Sequence, residues 1–114
     1  MSIRLMITGK VKEGMADDWK DLAARATAAC RDEEGTIIYR WYLSDDGRAI
    51  NHDEYTDEAA FFAHFGAATE SGVIDAWMGS EDVEHVAVLD PVNDEMAEAL
   101  KGFGAVHYSM VDGF

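Results

Sequence analysis

Apolar and polar residues alternate at the start of the chain. Ile3, Leu5 and Ile7 are separated by Arg4, Met6 and Thr8, a period of two that predicts a strand with one apolar face. After Gly9 to Gly14 the period lengthens. Met15, Trp19, Leu22, Ala23, Ala26 and Cys30 recur at helical spacing, while Asp17, Asp18, Asp21, Arg25 and Arg31 lie off that stripe. Asp17 and Asp18 also suit the positive end of a helix dipole, and Gly35 is expected to stop the helix.

Thr36 to Ser44 reads TIIYRWYLS, a β-branched and aromatic run. Asp46-Gly47 signals a hairpin turn, and Ala49 to Tyr55 reads as the returning strand. A two-residue turn would set Arg40 opposite Asp53 as an ion pair, Trp41 opposite His52, and Tyr39 opposite Glu54. A one-residue slip would undo these pairs.

Thr56 or Asp57 is expected to cap a second helix with Phe61, Phe62, Phe65 and Ala68 or Thr69 on its inner stripe. Val73, Ile74, Trp77 and Met78 suggest a short further helix closed by Gly79. Glu84 to Val92 then predicts a strand, Met96, Ala99 and Leu100 a short helix, and Ala105 to Val111 a last strand. The order β-α-β-β-α-β is that of the split βαβ, ferredoxin-like arrangement. The predicted fold is therefore α+β, an antiparallel sheet with helices on one face, in one domain over 1–114 with a helix-strand extension at 94–114. Ile38 and Tyr42 fall on one side of the second strand, and Ile37, Tyr39, Trp41 and Leu43 on the other. Both sides are too apolar to leave one open to water, so a second copy is the expected cover.

Composition narrows the partners. Nine Lys and Arg against 23 Asp and Glu give a formal net charge of −14, which disfavours nucleic acid and anionic membrane surfaces. The single cysteine, Cys30, excludes an intrachain disulfide and reads as a buried thiol. No secretory leader and no run of about 20 apolar residues is evident, so the expected compartment is the cytoplasm.

Three stretches resemble the antibiotic biosynthesis monooxygenase family of dimeric α+β barrels: Gly35-Thr36-Ile37-Ile38-Tyr39-Arg40-Trp41, the Asp46-Gly47 turn, and His52-Asp53-Glu54-Tyr55-Thr56-Asp57-Glu58-Ala59-Ala60-Phe61-Phe62-Ala63-His64. The likeness spans residues 3 to about 92. It implies a dimeric barrel, and its motifs specify the fold better than the activity. The family includes cofactor-independent monooxygenases of phenols and quinols, haem-degrading members, isomerases and proteins without a known reaction. Residues 70–79 hold no histidine, which departs from the haem-degrading pattern. By resemblance, Asp53 stands where many members carry Glu, Tyr55 where many carry Tyr or Trp, and His64 matches the histidine of the second helix.

Four histidines are present, without H-x-x-x-H or H-E-x-x-H spacing, so no metal site is expected. Nucleophile-elbow, P-loop and dinucleotide fingerprints are missing as well. His64 reads either as a polar group at a pocket edge, able to accept a phenolic proton, or as a histidine bonded to backbone. Tyr39, Trp41, His52 and Glu54 would share one strand face, either a pocket wall or a dimer interface. His85 could point toward the same space, and Trp77 could serve as a lid or as a local cap on the core. The candidate catalytic residues are thus His64, His52 and Tyr55, and the candidate binding residues Tyr39, Trp41, Phe61, Phe65, Trp77 and His85. The expected function is cofactor-free oxygenation of a small aromatic phenol or quinol. The alternatives are a non-catalytic ligand-binding dimer and an isomerase-type enzyme.

Overall fold

A computed structural model describes residues 2–114. The elements are β1 (Ile3–Val11), α1 (Ala16–Cys30), β2 (Thr36–Leu43), β3 (Arg48–Tyr55), α2 (Glu58–Glu70), α3 (Val73–Ser80), β4 (Glu81–Val88), α4 (Asp94–Lys101) and β5 (Val106–His107). The strands form one sheet in the order β2-β3-β1-β4-β5. The first four are antiparallel, and β5 joins β4 in parallel. This is the ferredoxin-like α+β arrangement, made mixed by its fifth strand. No helix among the described residues is long and apolar enough to cross a membrane.

The predicted stripes face the core in part: Phe61 and Ala68 of α2 and Trp77 of α3 are buried, Phe62 and Phe65 are half-buried, and Met78 is exposed. Trp19, Leu22, Ala26 and Cys30 of α1 are buried. Asp57 rather than Thr56 caps α2, its carboxylate accepting from Ala60 N at 2.8 Å. Gly35 does not stop α1, which ends five residues earlier. Instead Gly35 lets the entry of β2 pass against Ala60 of α2, where a Cβ would collide with the Ala60 methyl.

The hairpin departs from expectation by one residue. Leu43 pairs with Ala49, Tyr42 with Ile50, Trp41 with Asn51, Arg40 with His52 and Tyr39 with Asp53. The turn backbone explains the shift. Within the turn Gly47 alone is left-handed (φ +84°), and among the described residues no non-glycine residue has positive φ. A two-residue type I′ turn needs both central residues left-handed, so the chain makes a three-residue loop closed by Ser44 N donating to Arg48 O at 2.8 Å. The Arg40–Asp53 ion pair therefore does not form: Arg40 is exposed and Asp53 is buried. A register shift at Thr36–Ile38 also leaves Ile37 about half exposed.

Two further boundaries differ. The fourth strand begins at Glu81 rather than Glu84 and ends at Val88. Of the predicted 105–111 strand only Val106 and His107 pair, against Ala87 and Val88. The remaining tail is irregular, with Met110, Val111 and Phe114 exposed.

The helix-covered face of the sheet carries two separate cores. Ile3, Leu5, Tyr55, Phe61, Val88, Met96 and Leu100 form one, and Val11, Trp19 and Ala49 the other. A gap remains between them.

Candidate functional site

That gap is a cavity between the inner sheet face and α2 and α3. Leu5, Ile7, Tyr39, Trp41, Asn51, Asp53, Tyr55 and Val86 form its floor. Phe61, His64, Phe65 and Ala68 of α2, with Val73, Ile74 and Trp77 of α3, form its roof. Leu100 and Phe103 of the C-terminal extension complete the wall, Phe103 meeting Phe65 edge-on at 5.6 Å between ring centres. The cavity volume is about 80 Å³, below the roughly 300–1,000 Å³ of drug-sized pockets. A one-ring ligand is the scale it suits.

The polar groups of this apolar space sit on β2, β3 and α2. Asp53 is 8 % exposed. Its Oδ2 accepts the Tyr55 hydroxyl at 2.9 Å, and its Oδ1 has no hydrogen-bond partner in the protein. Burial pushes the Asp53 carboxyl from 3.8 up to about 6, against the downward pull of the Tyr55 bond and the His64 charge. Burial and the Asp53 charge push the Tyr55 phenol well above its usual range, and burial also raises Tyr39. Both phenols therefore keep their hydrogens and act as donors, while Asp53 can give or take a proton near neutrality. Trp41 Nε1 and Asn51 Oδ1, on cross-strand partners, are likewise sealed from solvent without a bond. Unpaired buried polar atoms are rare, and three along one cavity floor are what a polar ligand edge would satisfy.

His64 is held from the side. Its Nδ1 lies 2.8 Å from Glu33 Oε1, which also accepts the Thr36 hydroxyl at 2.9 Å. Tyr39 and Tyr55 pack against the imidazole at 5.0 and 5.4 Å between ring centres. The Cys30 thiol is close by: the ligand atoms of Cys30, Glu33 and His64 lie within 4.8 Å of one another. Burial pushes that thiol up to about 11, so it stays protonated and behaves as a small apolar group.

The structure thus brings His64, Tyr55, Tyr39, Trp41, Phe61, Phe65 and Trp77 around one cavity. It does not bring His52 or His85 there. The one-residue shift turns His52 to the other sheet face, beside Arg40 and Met6. His85 pairs with Thr8, and its Nε2 meets the Tyr108 hydroxyl at 2.6 Å. Glu54 leaves the cavity with His52. Sequence reasoning missed Asn51 and Asp53 as cavity residues, because the assumed register hid them, and it missed Glu33.

The description of one family model, antibiotic biosynthesis monooxygenase, matches residues 2–71. The chain belongs to that family. No curated protein matches it by sequence. Among solved structures, this family member resembles MupZ from Pseudomonas fluorescens (TM-score 0.85, 14% identity, 99% of this chain and 93% of that one). It also resembles SnoaB, a cofactor-independent oxygenase from Streptomyces nogalater (TM-score 0.66, 14% identity, 81% and 94%), and Rv0793 from Mycobacterium tuberculosis (TM-score 0.68, 18% identity, 82% and 98%). At these identities the likeness is one of fold. The MupZ match takes in the C-terminal extension of this family member, whereas the other two cover about four-fifths of the chain.

Proposed function

We propose that this chain is a cofactor-independent monooxygenase of a small, one-ring phenol or quinol. The observation that carries the reading is a pair of proton acceptors, Asp53 Oδ1 and the His64 imidazole, on the wall of an otherwise apolar cavity. Family membership and the fold shared with SnoaB support it. A base takes the phenolic proton, and the resulting anion passes an electron to O₂. The radical pair combines at a ring carbon carrying hydrogen, giving a hydroperoxide. Loss of water leaves a carbonyl, so one oxygen atom ends in product and one in water. Tyr39 and Trp41 would steady the developing oxyanion from the floor. The 94–114 extension acts in the same single domain, closing the cavity through Leu100 and Phe103.

The working unit in this proposal is a dimer. Met6, Ile38, Tyr42 and Ile50 on the outer sheet face would meet a second copy.

Oxygen uptake by metal-free, flavin-free protein with small quinols tests the reaction. Uptake should fall in both Asp53→Asn and His64→Ala, and uptake no faster than the uncatalysed background ends the reading. The Asp53–Tyr55 carboxyl–phenol pair supports a second reading, isomerase-type proton transfer without oxygen. That chemistry would show as exchange of substrate hydrogen for deuterium under anaerobic conditions.

A further inference from the structure

We infer that Glu33 is a positioning residue that fixes the tautomer of His64, so that Nε2 is the nitrogen offered to the cavity. The inference rests on the reading that His64 serves as a base there. Glu33 Oε1 receives two contacts, the Thr36 hydroxyl at 2.9 Å and His64 Nδ1 at 2.8 Å. An oxygen already accepting one hydrogen bond, on a side chain that only accepts when ionised, requires its second neighbour to donate. The hydrogen of a neutral His64 therefore sits on Nδ1, and the lone pair on Nε2. Among the described residues no hydrogen bond of the protein reaches Nε2, and His64 lines the cavity.

The surroundings hold this arrangement. His64 comes from α2, Glu33 from the connection after α1, and Thr36 from the first position of β2. Glu33 N donates to Cys30 O at 3.0 Å and Thr36 N to Glu33 O at 3.3 Å, so the connection is tied at both sides of Glu33. Tyr39 from β2 and Tyr55 from β3 flank the ring, Cys30 from α1 lies beside the Glu33 contact, and Asp53 from β3 is the acid on the cavity floor. A side chain 31 residues away in sequence thus plays the part that an orienting carboxylate plays for catalytic imidazoles in general. It would act through His64 and need not touch substrate.

Long-range ¹H–¹⁵N NMR of ¹⁵N-histidine protein, above the ordinary imidazole range, reads the tautomer directly. The expected wild-type result is a hydrogen on Nδ1 and a bare Nε2. In Glu33→Ala the two tautomers should mix, and kcat for quinol-dependent oxygen uptake should fall about 10- to 100-fold with KM little changed. Glu33→Gln, whose amide can donate as well as accept, should also let the tautomers mix and lower kcat, and it serves where Glu33→Ala fails to fold. A hydrogen found on Nε2 in the wild type overturns the inference. So does a tautomer and kcat unmoved by Glu33→Ala, or by Glu33→Gln in its place. The expected tautomer in a protein that turns over no quinol upholds the positioning role and removes only the monooxygenase reading.

Discussion

Tyr55 donates its phenolic hydrogen to Asp53 Oδ2 at 2.9 Å and leaves Oδ1 of the same carboxyl open to the cavity floor. The two are i and i+2 on β3, so they share a face; Asp53 makes the Tyr55 phenol harder to ionise, while the Tyr55 bond partly offsets the burial that raises Asp53. The stability consequence has a definite sign. A carboxyl raised by burial folds best when protonated, so its contribution is full below about pH 4 and is lost as pH rises through about 6. Raising 3.8 to about 6 corresponds to roughly 3 kcal/mol. In urea unfolding followed from about pH 4 to about pH 7, wild type should lose about that much relative to Asp53→Asn. A stability difference that stays flat across the window would show that Asp53 is not held protonated by burial.

The same group governs activity in the proposed reaction. If Asp53 accepts a proton, kcat/KM should rise as pH passes through about 6 and level above it. Asp53→Asn should abolish that limb. A profile whose acidic limb persists unchanged in the variant assigns the limb to another group and removes Asp53 as acceptor.

Glu81 sets the cavity's roof from below. Its Oε1 accepts both Trp19 Nε1 at 2.8 Å and Trp77 Nε1 at 2.9 Å, clamping α1 and α3 onto the start of β4. Removing the carboxyl in Glu81→Ala leaves two buried indole donors unpaired, at about 1–3 kcal/mol each. We expect a loss of about 3 kcal/mol in chemical denaturation, whereas Glu81→Gln, which keeps an acceptor oxygen, should lose less than half as much. Equal losses in the two variants would mean that shape rather than hydrogen bonding holds the indoles.

The element order was legible because each segment shows its own period: Ile3, Leu5 and Ile7 alternate, and Trp19, Leu22, Ala26 and Cys30 repeat at helical spacing. The register was not legible. Asp46-Gly47 suits a two-residue or a three-residue turn, and only the backbone shows that Gly47 alone is left-handed. That single residue decided which side chains face the cavity, exchanging His52 and Glu54 for Asn51 and Asp53. The aromatic lining survived the error because Tyr39, Trp41, Phe61 and Phe65 were assigned from their own strand or helix. Glu33 left no local signal, since its contact with His64 depends on how the α1–β2 connection folds back. The last strand was over-extended because propensity along 105–111 does not supply a partner strand; the pairing β4 offers is to Val106 and His107.

Gly35 controls how closely α2 approaches the sheet. A Cβ there would collide with Ala60, one helical turn before His64, and would lie 3.1 Å from Thr56 Oγ1. Gly35→Ala should push the helix outward and cost about 1–3 kcal/mol, the usual range for overpacking. It should also loosen the His64–Glu33 contact, visible as a mixed His64 tautomer. A variant within about 0.5 kcal/mol of wild type would mean that α2 can shift freely.

The dimer proposal rests on the outer sheet face. Tyr42 and Ile50 are cross-strand neighbours there, 49% and 37% exposed, with Met6 and Ile38 beside polar Arg40, His52 and Glu54. On this face Arg40 and His52 lie between Ile38 and the Tyr42–Ile50 pair, so apolar and aromatic side chains alternate with polar ones, a mixture that protein interfaces bury. Light scattering at micromolar concentration should give a mass twice the 12.6 kDa of one chain. Ile50→Asp places a charge opposite Tyr42 without touching either core, and should weaken association about 100-fold while leaving the far-ultraviolet circular dichroism unchanged. A wild-type protein that stays monomeric would mean that this face is content in water. A dimer indifferent to Ile50→Asp would place the contact elsewhere, for which the exposed tail at Met110, Val111 and Phe114 is one further apolar surface.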